Sequence, residues 1–326
     1  MATNKKKDSI TVANIMAIFG LVALLVFTYL GHSYMSGGEI GWDIAIAVII
    51  TSFAAFLLWF MVKAKEAENN LDKWRIIEYA TLAFYIVTVI PLSAAFGIMH
   101  FFVVNDKKEE IKELAQSDLN KIEEMFTDYK DFESGALSVT GTGLRTATDA
   151  GQVCDEQLNK FMADNNISHT HESANNFENI QRTTLIGAGF ETFYQSYLDQ
   201  KSEIEGVING WSLIQVPRKA RSIEELAKSA EEELTRLSND AQLPIIAVQN
   251  NKHTITGFQK KDFKIRDGIK SFQFKKALKK AKGFSITATL VLLLIHALIL
   301  FNYIVAHRAL TLGVSKRVEE DGGRSL

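Results

Sequence analysis

The chain has 326 residues, 47% of them apolar, with 36 basic and 38 acidic side chains and a net charge of −2. One Cys and three Pro exclude a disulfide scaffold, and the apolar content excludes a disordered or collagen-like chain. A membrane protein is not excluded, because an average conceals segregation along the chain.

Four stretches break that average. Ile10 to Leu30 is 21 residues without Asp, Glu, Lys or Arg, Ile44 to Val62 is 19, Tyr79 to Val104 is 26 and Phe284 to Ala306 is 23. A bilayer core of about 30 Å takes roughly 20 helical residues at about 1.5 Å each. Each stretch meets or nearly meets that length, so each is expected to be a transmembrane helix. The first follows Lys5, Lys6 and Lys7 as a signal peptide would. Its apolar run is too long for one and has no small-x-small cleavage site, so it is expected to stay.

The organisation expected is a cytoplasmic tail (1–9), three transmembrane helices (10–104), a mostly helical domain (105–283), a fourth transmembrane helix (284–306) and a cytoplasmic tail (307–326). The fold class is mainly α: a multi-pass membrane protein with its soluble domain inserted between the third and fourth helices. The last tail is too short to be a signalling module.

Short segments carry the orientation signal. The N-terminal Lys residues, the loop with Lys63, Lys65, Lys73 and Arg75, and the tail with Arg308, Lys316, Arg317 and Arg324 hold 11 basic residues. The loop Gly31 to Asp43 holds none. Both termini are therefore expected in the cytoplasm and the domain outside it. A bacterial inner membrane with a periplasmic domain is the setting this implies.

Within the domain, Ile111, Ala115, Leu119, Ile122, Phe126 and Tyr129 recur at helical steps. That helix is expected to end near Ser134-Gly135, where Gly suits a C-terminal cap. Ala136 to Met162 reads as a weaker segment, Asp164 to Asn176 as a polar loop, and Phe177 to Ile208 as one helix. Ser222 with Glu225 forms a capping box opening a helix to Ser238. Leu243 to Phe258 reads as a small hairpin turning at Asn250-Asn251.

The charge of the domain is divided. Asn105 to Phe258 carries 15 basic and 26 acidic residues, and Gln259 to Gly283 carries ten basic and two acidic. In that last stretch Phe263, Ile265, Ile269, Phe272, Phe274 and Leu278 interleave with Lys264, Arg266, Lys270, Lys275, Lys276, Lys279, Lys280 and Lys282. A basic amphipathic stem of this kind lies on anionic headgroups, docks an acidic partner, or docks the acidic body of its own domain. A solvated helix leading into the fourth span is the plainer alternative.

Within the spans, His296 sits near the middle of the fourth. An ionisable group there serves a proton relay or hydrogen-bonds another helix, with Asn14, Thr51, Ser52, Thr81 and Thr88 as available partners. Glu78 and Arg75 are expected to reach the headgroups. Pro91 is expected to kink the third span. Ser93 and Gly97, four apart, make a small-residue face that Ala47, Ala54 and Ala55 of the second span could receive.

Three further motifs carry weak signals. His169-Thr170-His171-Glu172 has metal-ligand chemistry but lacks a distant Cys or His at metal spacing. Cys154 is alone, among apolar neighbours. Gly141-Thr142-Gly143 lacks the third Gly and the Lys of a phosphate loop. No cofactor, metal or catalytic group is expected.

The function expected is a non-enzymatic membrane scaffold or interaction subunit of a cell-envelope complex. Its partners are the lipid bilayer and other membrane or envelope proteins, with homo-oligomerisation allowed and nucleic acid not expected. One alternative is an extracytoplasmic sensor, since a helical bundle between two spans resembles the architecture of bacterial chemoreceptor input domains. Another is an oligomeric channel or transporter using His296.

Overall fold

A computed structural model describes residues 2–67 and 71–306. The tail cations Arg308, Lys316, Arg317 and Arg324 lie outside the described residues. The described residues are 78% helical.

The first two spans are α1 (Ala2–Ser36) and α2 (Ile40–Glu66). They are joined by a tight turn in which Gly37 and Gly38 take φ of +81° and +83°, a region that favours glycine. The third span is assembled from α3 (Leu71–Phe84), α4 (Ile90–Ser93) and α5 (Met99–Asp106), linked by π-helical segments Tyr85–Val89 and Ala94–Ile98. After it come α6 (Lys108–Ala147), α7 (Glu156–Asp164), α8 (His171–Leu185), α9 (Ala188–Asn209) and α10 (Val216–Asp240). Strands β1 (Leu243–Gln249) and β2 (Lys252–Gln259), then α11 (Phe274–Lys280) and α12 (Ile286–Val305), complete the order.

Two compact units result. Among the described residues, the first comprises 2–67, 71–111, 213–218 and 276–306 and holds four helices long and apolar enough to cross a membrane. No more than 33% of each apolar window is buried within the chain, so most of each span's surface is left for lipid or another protein. Its core joins Leu24 of α1, Leu57 and Met61 of α2, Val89 and Ile98 of the third span, and Ile295 and Ile299 of α12. At Gly20 a Cβ would lie 2.7 Å from Ile299 Cγ1, so a glycine lets α1 approach α12.

The second unit comprises residues 112–212 and 219–275. Aromatic rings fill one part of its core. Phe126 of α6 lies 4.5 Å from Tyr197 of α9 between ring centroids, and Tyr129 stacks on Phe190 at 5.2 Å. A second cluster gathers Leu137 and Leu144 of α6, Leu158 of α7, Phe177 of α8 and the hairpin residues Leu243 and Ile255.

Several element ends differ from the sequence expectation. Helix α6 does not stop at Ser134-Gly135 but runs to Ala147, because its apolar stripe continues through Leu137 and Leu144. A helical Gly costs about 1 kcal/mol, less than the roughly 1.5–3 kcal/mol from burying each Leu. The supposed polar loop ends early: Thr170 Oγ1 accepts from Ser173 N at 3.3 Å and starts α8 at His171. The expected helix Phe177 to Ile208 is two helices parted at Gly187, where a Cβ would sit 2.8 Å from the Thr183 carbonyl oxygen. Ser222 lies inside α10 rather than at its start, which carries Pro217 in the first turn, a position that needs no backbone N–H.

The hairpin forms as expected. Its strands are antiparallel with a bulge between Ile245 and Ile246, and Asn250 and Asn251 take φ of +51° and +58°, as a primed turn requires.

Candidate functional site: polar rungs and a basic stem

Three levels of the span unit carry buried polar contacts. The middle one centres on His296. Its Nδ1 lies 2.8 Å from the Tyr85 hydroxyl and its Nε2 lies 2.9 Å from Ser93 Oγ. The Ser93 hydroxyl donates to the Ile90 carbonyl oxygen at 2.9 Å. Its hydrogen is thus spent, so Ser93 Oγ accepts from His296 Nε2–H, and Nδ1 accepts from the Tyr85 O–H. One neutral tautomer satisfies every group. The partners differ from those the sequence offered, because the π segments re-aim the third span. Residues 85 and 93 would stand about 80° apart around a regular helix at 3.6 residues per turn. The wider π turn at Tyr85–Val89 reduces that offset and points both side chains at His296.

The next level joins the same two spans. The Tyr303 hydroxyl donates to Glu78 Oε1 at 2.7 Å. Lys65 of α2 donates to the Tyr303 carbonyl oxygen at 2.7 Å and sits 4.6 Å from the centroid of that ring. Glu78 is only 1% exposed, so it does not reach the headgroups as expected; a tyrosine hydroxyl gives its carboxylate a partner inside the protein. Glu78 and Tyr85 are seven residues apart, and so are His296 and Tyr303. The two antiparallel spans are thus pinned by rungs about 10 Å apart at 1.5 Å per residue. Sequence reasoning took up His296 and Glu78 singly. The paired seven-residue spacing of acid or imidazole against tyrosine is the signal that would have joined them.

The third level lies where α1 meets α2. His32 Nδ1 is 2.7 Å from Asp43 Oδ1, and Asp43 is fully buried. Next to His32, from Thr28 to Gly31, α1 touches the third span backbone to backbone. A Cβ on Gly31 would lie 2.0 Å from the Gly97 carbonyl oxygen, and one on Gly97 would lie 2.6 Å from Thr28 Cα. Gly97 therefore receives the first span, not Ala47, Ala54 and Ala55 of the second. Pro91 lies exposed between the two π segments.

The basic stem is not one amphipathic helix. Only Phe274–Lys280 is α-helical; the preceding residues are irregular, with a turn at Arg266-Asp267 and a 3-10 turn at Ile269–Ser271. Phe263 and Ile265 are buried while Lys264 and Arg266 are exposed, a period of two. Ile265 N donates to Glu231 Oε1 at 2.7 Å, and Phe263 N donates to Thr235 Oγ1 at 2.9 Å, both on α10. Asp118 of α6 is buried, and its Oδ2 accepts from Gln273 N and Phe274 N, each at 2.8 Å, at the start of α11. Burial pushes the Asp118 carboxyl above its usual range, against the opposing pull of the Phe274 N–H, Lys121 and the Gln273 N–H.

The stem's apolar side chains Phe263, Ile265, Phe272 and Phe274 are all buried. Lys264, Arg266, Lys270, Lys276, Lys280 and Lys282 are exposed, while Lys275 and Lys279 are half-buried. Lys275 pairs with Glu224, and Lys261 with Asp128 at 2.8 Å. Further along, His100 Nε2 donates to the Leu278 carbonyl oxygen at 2.7 Å, tying α11 to the third span.

The weaker motifs have structural partners. His171 pairs with Asp149, and among the described residues no group of three His, Cys, Asp or Glu could hold a metal. Cys154 is buried in the core beside Leu158, and burial with Asp155 nearby pushes its thiol up. Gly141 and Gly143 lie within α6. A Cβ at Gly141 would meet Glu178 Oε2 at 2.1 Å, and one at Gly143 would meet Ile246 Cβ at 2.9 Å.

These features define a multi-pass helical membrane protein. Neither protein-family models, curated proteins nor solved structures give a match to the chain.

Proposed function

We propose that this protein is a non-enzymatic interaction subunit of a bacterial cell-envelope complex, anchored in the inner membrane with its helical domain in the periplasm. The carrying observation is the fixed outward array of stem cations. Lys264 and Arg266 are exposed because their neighbours Phe263 and Ile265 are buried. The cations therefore stand on an anchored backbone, already ordered before a partner arrives, which lowers the entropy cost of binding. Leu278, held at His100, lies six residues short of the end of the third span, about 9 Å at 1.5 Å per residue. Lys279, Lys280 and Lys282 then stand at headgroup level, and Lys264 and Arg266 face an acidic partner.

Reversing Lys264 and Arg266 to Glu should abolish co-purification of partner chains after crosslinking in mild detergent. Recovery of this chain alone, from wild type and variant alike, would overturn the reading. The orientation is supported by the excess of Lys and Arg in the short segments on one side. Labelling a cysteine at exposed Val139 in a Cys154→Ser background tests it, because Cys154 itself is buried. Labelling only after the inner membrane is opened would reverse the orientation.

A channel or transporter using His296 remains the second reading, favoured by its position at mid-span. Proton flux in proteoliposomes that falls in His296→Leu would support it. Both ring nitrogens already have partners, which suits a fixed staple better than a shuttle.

A further inference from the structure

Near the end of α1 that turns into α2, the span unit contains an apolar groove of about 440 Å³. Leu25 and Leu30 of α1 form one wall, and Ala47 and Val48 of α2 form another. The third wall is Leu213 and Ile214, from the segment just before α10. These two residues are 39% and 49% exposed, although they belong to a mostly polar stretch of the sequence.

The depth of that segment is set by its own chain. Arg218 packs on Gly38 so closely that a Cβ there would lie 2.8 Å from Arg218 Cγ. Gly38 belongs to the turn after α1, whereas Leu30 lies six residues before the helix end, about 9 Å deeper at 1.5 Å per residue. In four residues the segment therefore runs from the end of the span to the flank of its apolar body. Leu213 and Ile214 stand where the first and second spans present lipid-facing surface.

We propose that this groove is a phospholipid site, holding one acyl chain between α1, α2 and the Leu213-Ile214 wall. Its volume lies within the roughly 300–1,000 Å³ of small-molecule pockets. Its lining offers an acyl chain only apolar partners apart from the Tyr29 hydroxyl. A transmembrane helix from another chain fits poorly. The groove follows α1 only from Leu25 to Leu30, about 8 Å of rise, whereas a spanning helix runs about 30 Å. Leu213 and Ile214 would block its path. An acyl chain is narrow enough to enter beneath them.

The test uses the full chain in nanodiscs containing phosphatidylcholine with a photoactivatable diazirine on its acyl chain, and maps the adducts by mass spectrometry. Adducts should concentrate on Leu25 to Leu30, Val48 and Leu213-Ile214 rather than on the exposed positions Ile15, Phe19 and Ile49. Val48→Trp, which fills the groove, should remove that enrichment, whereas Ile49→Trp on the open face should leave it. Ile214→Ser, which breaches the third wall, serves as a second variant that does not enlarge the packed interior. Adducts spread evenly over all lipid-facing positions, or enrichment that survives both Val48→Trp and Ile214→Ser, would overturn the proposal. So would crosslinking of the groove to a second protein chain in place of lipid.

Discussion

The span unit and the helical unit are both built from long helices, yet different forces hold them. In the helical unit, large rings bury against one another: Phe126 contacts Phe190, Phe193, Tyr194 and Tyr197. In the span unit, the closest contacts are made at glycines, Gly31 and Gly97 against backbone and Gly20 against Ile299, and the directional contacts are hydrogen bonds of His296, Tyr85 and Glu78. The solvent accounts for the difference. Removing a ring from water stabilises a fold, whereas moving a Leu from lipid to protein gains little. Spans must therefore be selected for close approach and polar pairing.

Four changes would break or sharpen this contrast. Phe126→Ala should be the most damaging, costing the helical unit about 3–5 kcal/mol. Near-UV circular dichroism against denaturant would read this as an early loss of aromatic signal, while the helicity of the spans persists. Gly31→Ala should cost about 1–3 kcal/mol through overpacking alone, despite adding a single methyl group. Thermal unfolding in detergent should show the loss, and Gly135→Ala, whose Cβ meets open space, should show none.

His296→Leu removes two interhelical hydrogen bonds, each worth about 0.6 kcal/mol on average in membranes. Its melting shift should be smaller than that of Gly31→Ala. An effect as large as that of Phe126→Ala would mean that polar contacts, not close approach, dominate the span unit.

The smallest effect is a pH dependence confined to the helical unit. Burial raises the Glu178 carboxyl, but hydrogen bonds and charge from Arg182 and Arg145 outweigh it and hold the group below its ordinary value of 4.5. A lowered carboxyl stabilises the fold above the unfolded-state pKa, and that contribution is lost as pH falls through the folded-state value. Denaturation midpoints measured from pH 6 downward should therefore drop below about pH 4.5, and Glu178→Gln should flatten this slope.

The four spans were legible because their signal is length and composition, which no tertiary contact can undo. The hairpin was legible because Asn250-Asn251 suits positive φ at two successive residues. Local signals misled wherever packing outweighed them. Gly135 looked like a cap, but Leu137 and Leu144 draw the helix onward into the core. Ser222 and Glu225 looked like a capping box, yet Pro217 opens the helix earlier. The stem read as an amphipathic helix because alternating Phe and Lys at uneven spacing fits a period of two or of 3.6. Asp118, far away in sequence, fixes where its short helix begins. The partners of His296 were hidden for another reason: a π turn changes the angular spacing that a helical wheel assumes.

The buried thiol of Cys154 has a practical consequence. It is the one cysteine of the chain, and it lies in the core formed by α6, α7, α8 and the hairpin. An alkylating reagent reaches it only when that core opens, so the rate of adduct formation is a clock for local opening. The spans contribute no thiol to the signal. The whole protein in its bilayer can thus report the opening of one small region, with no label introduced and no residue changed.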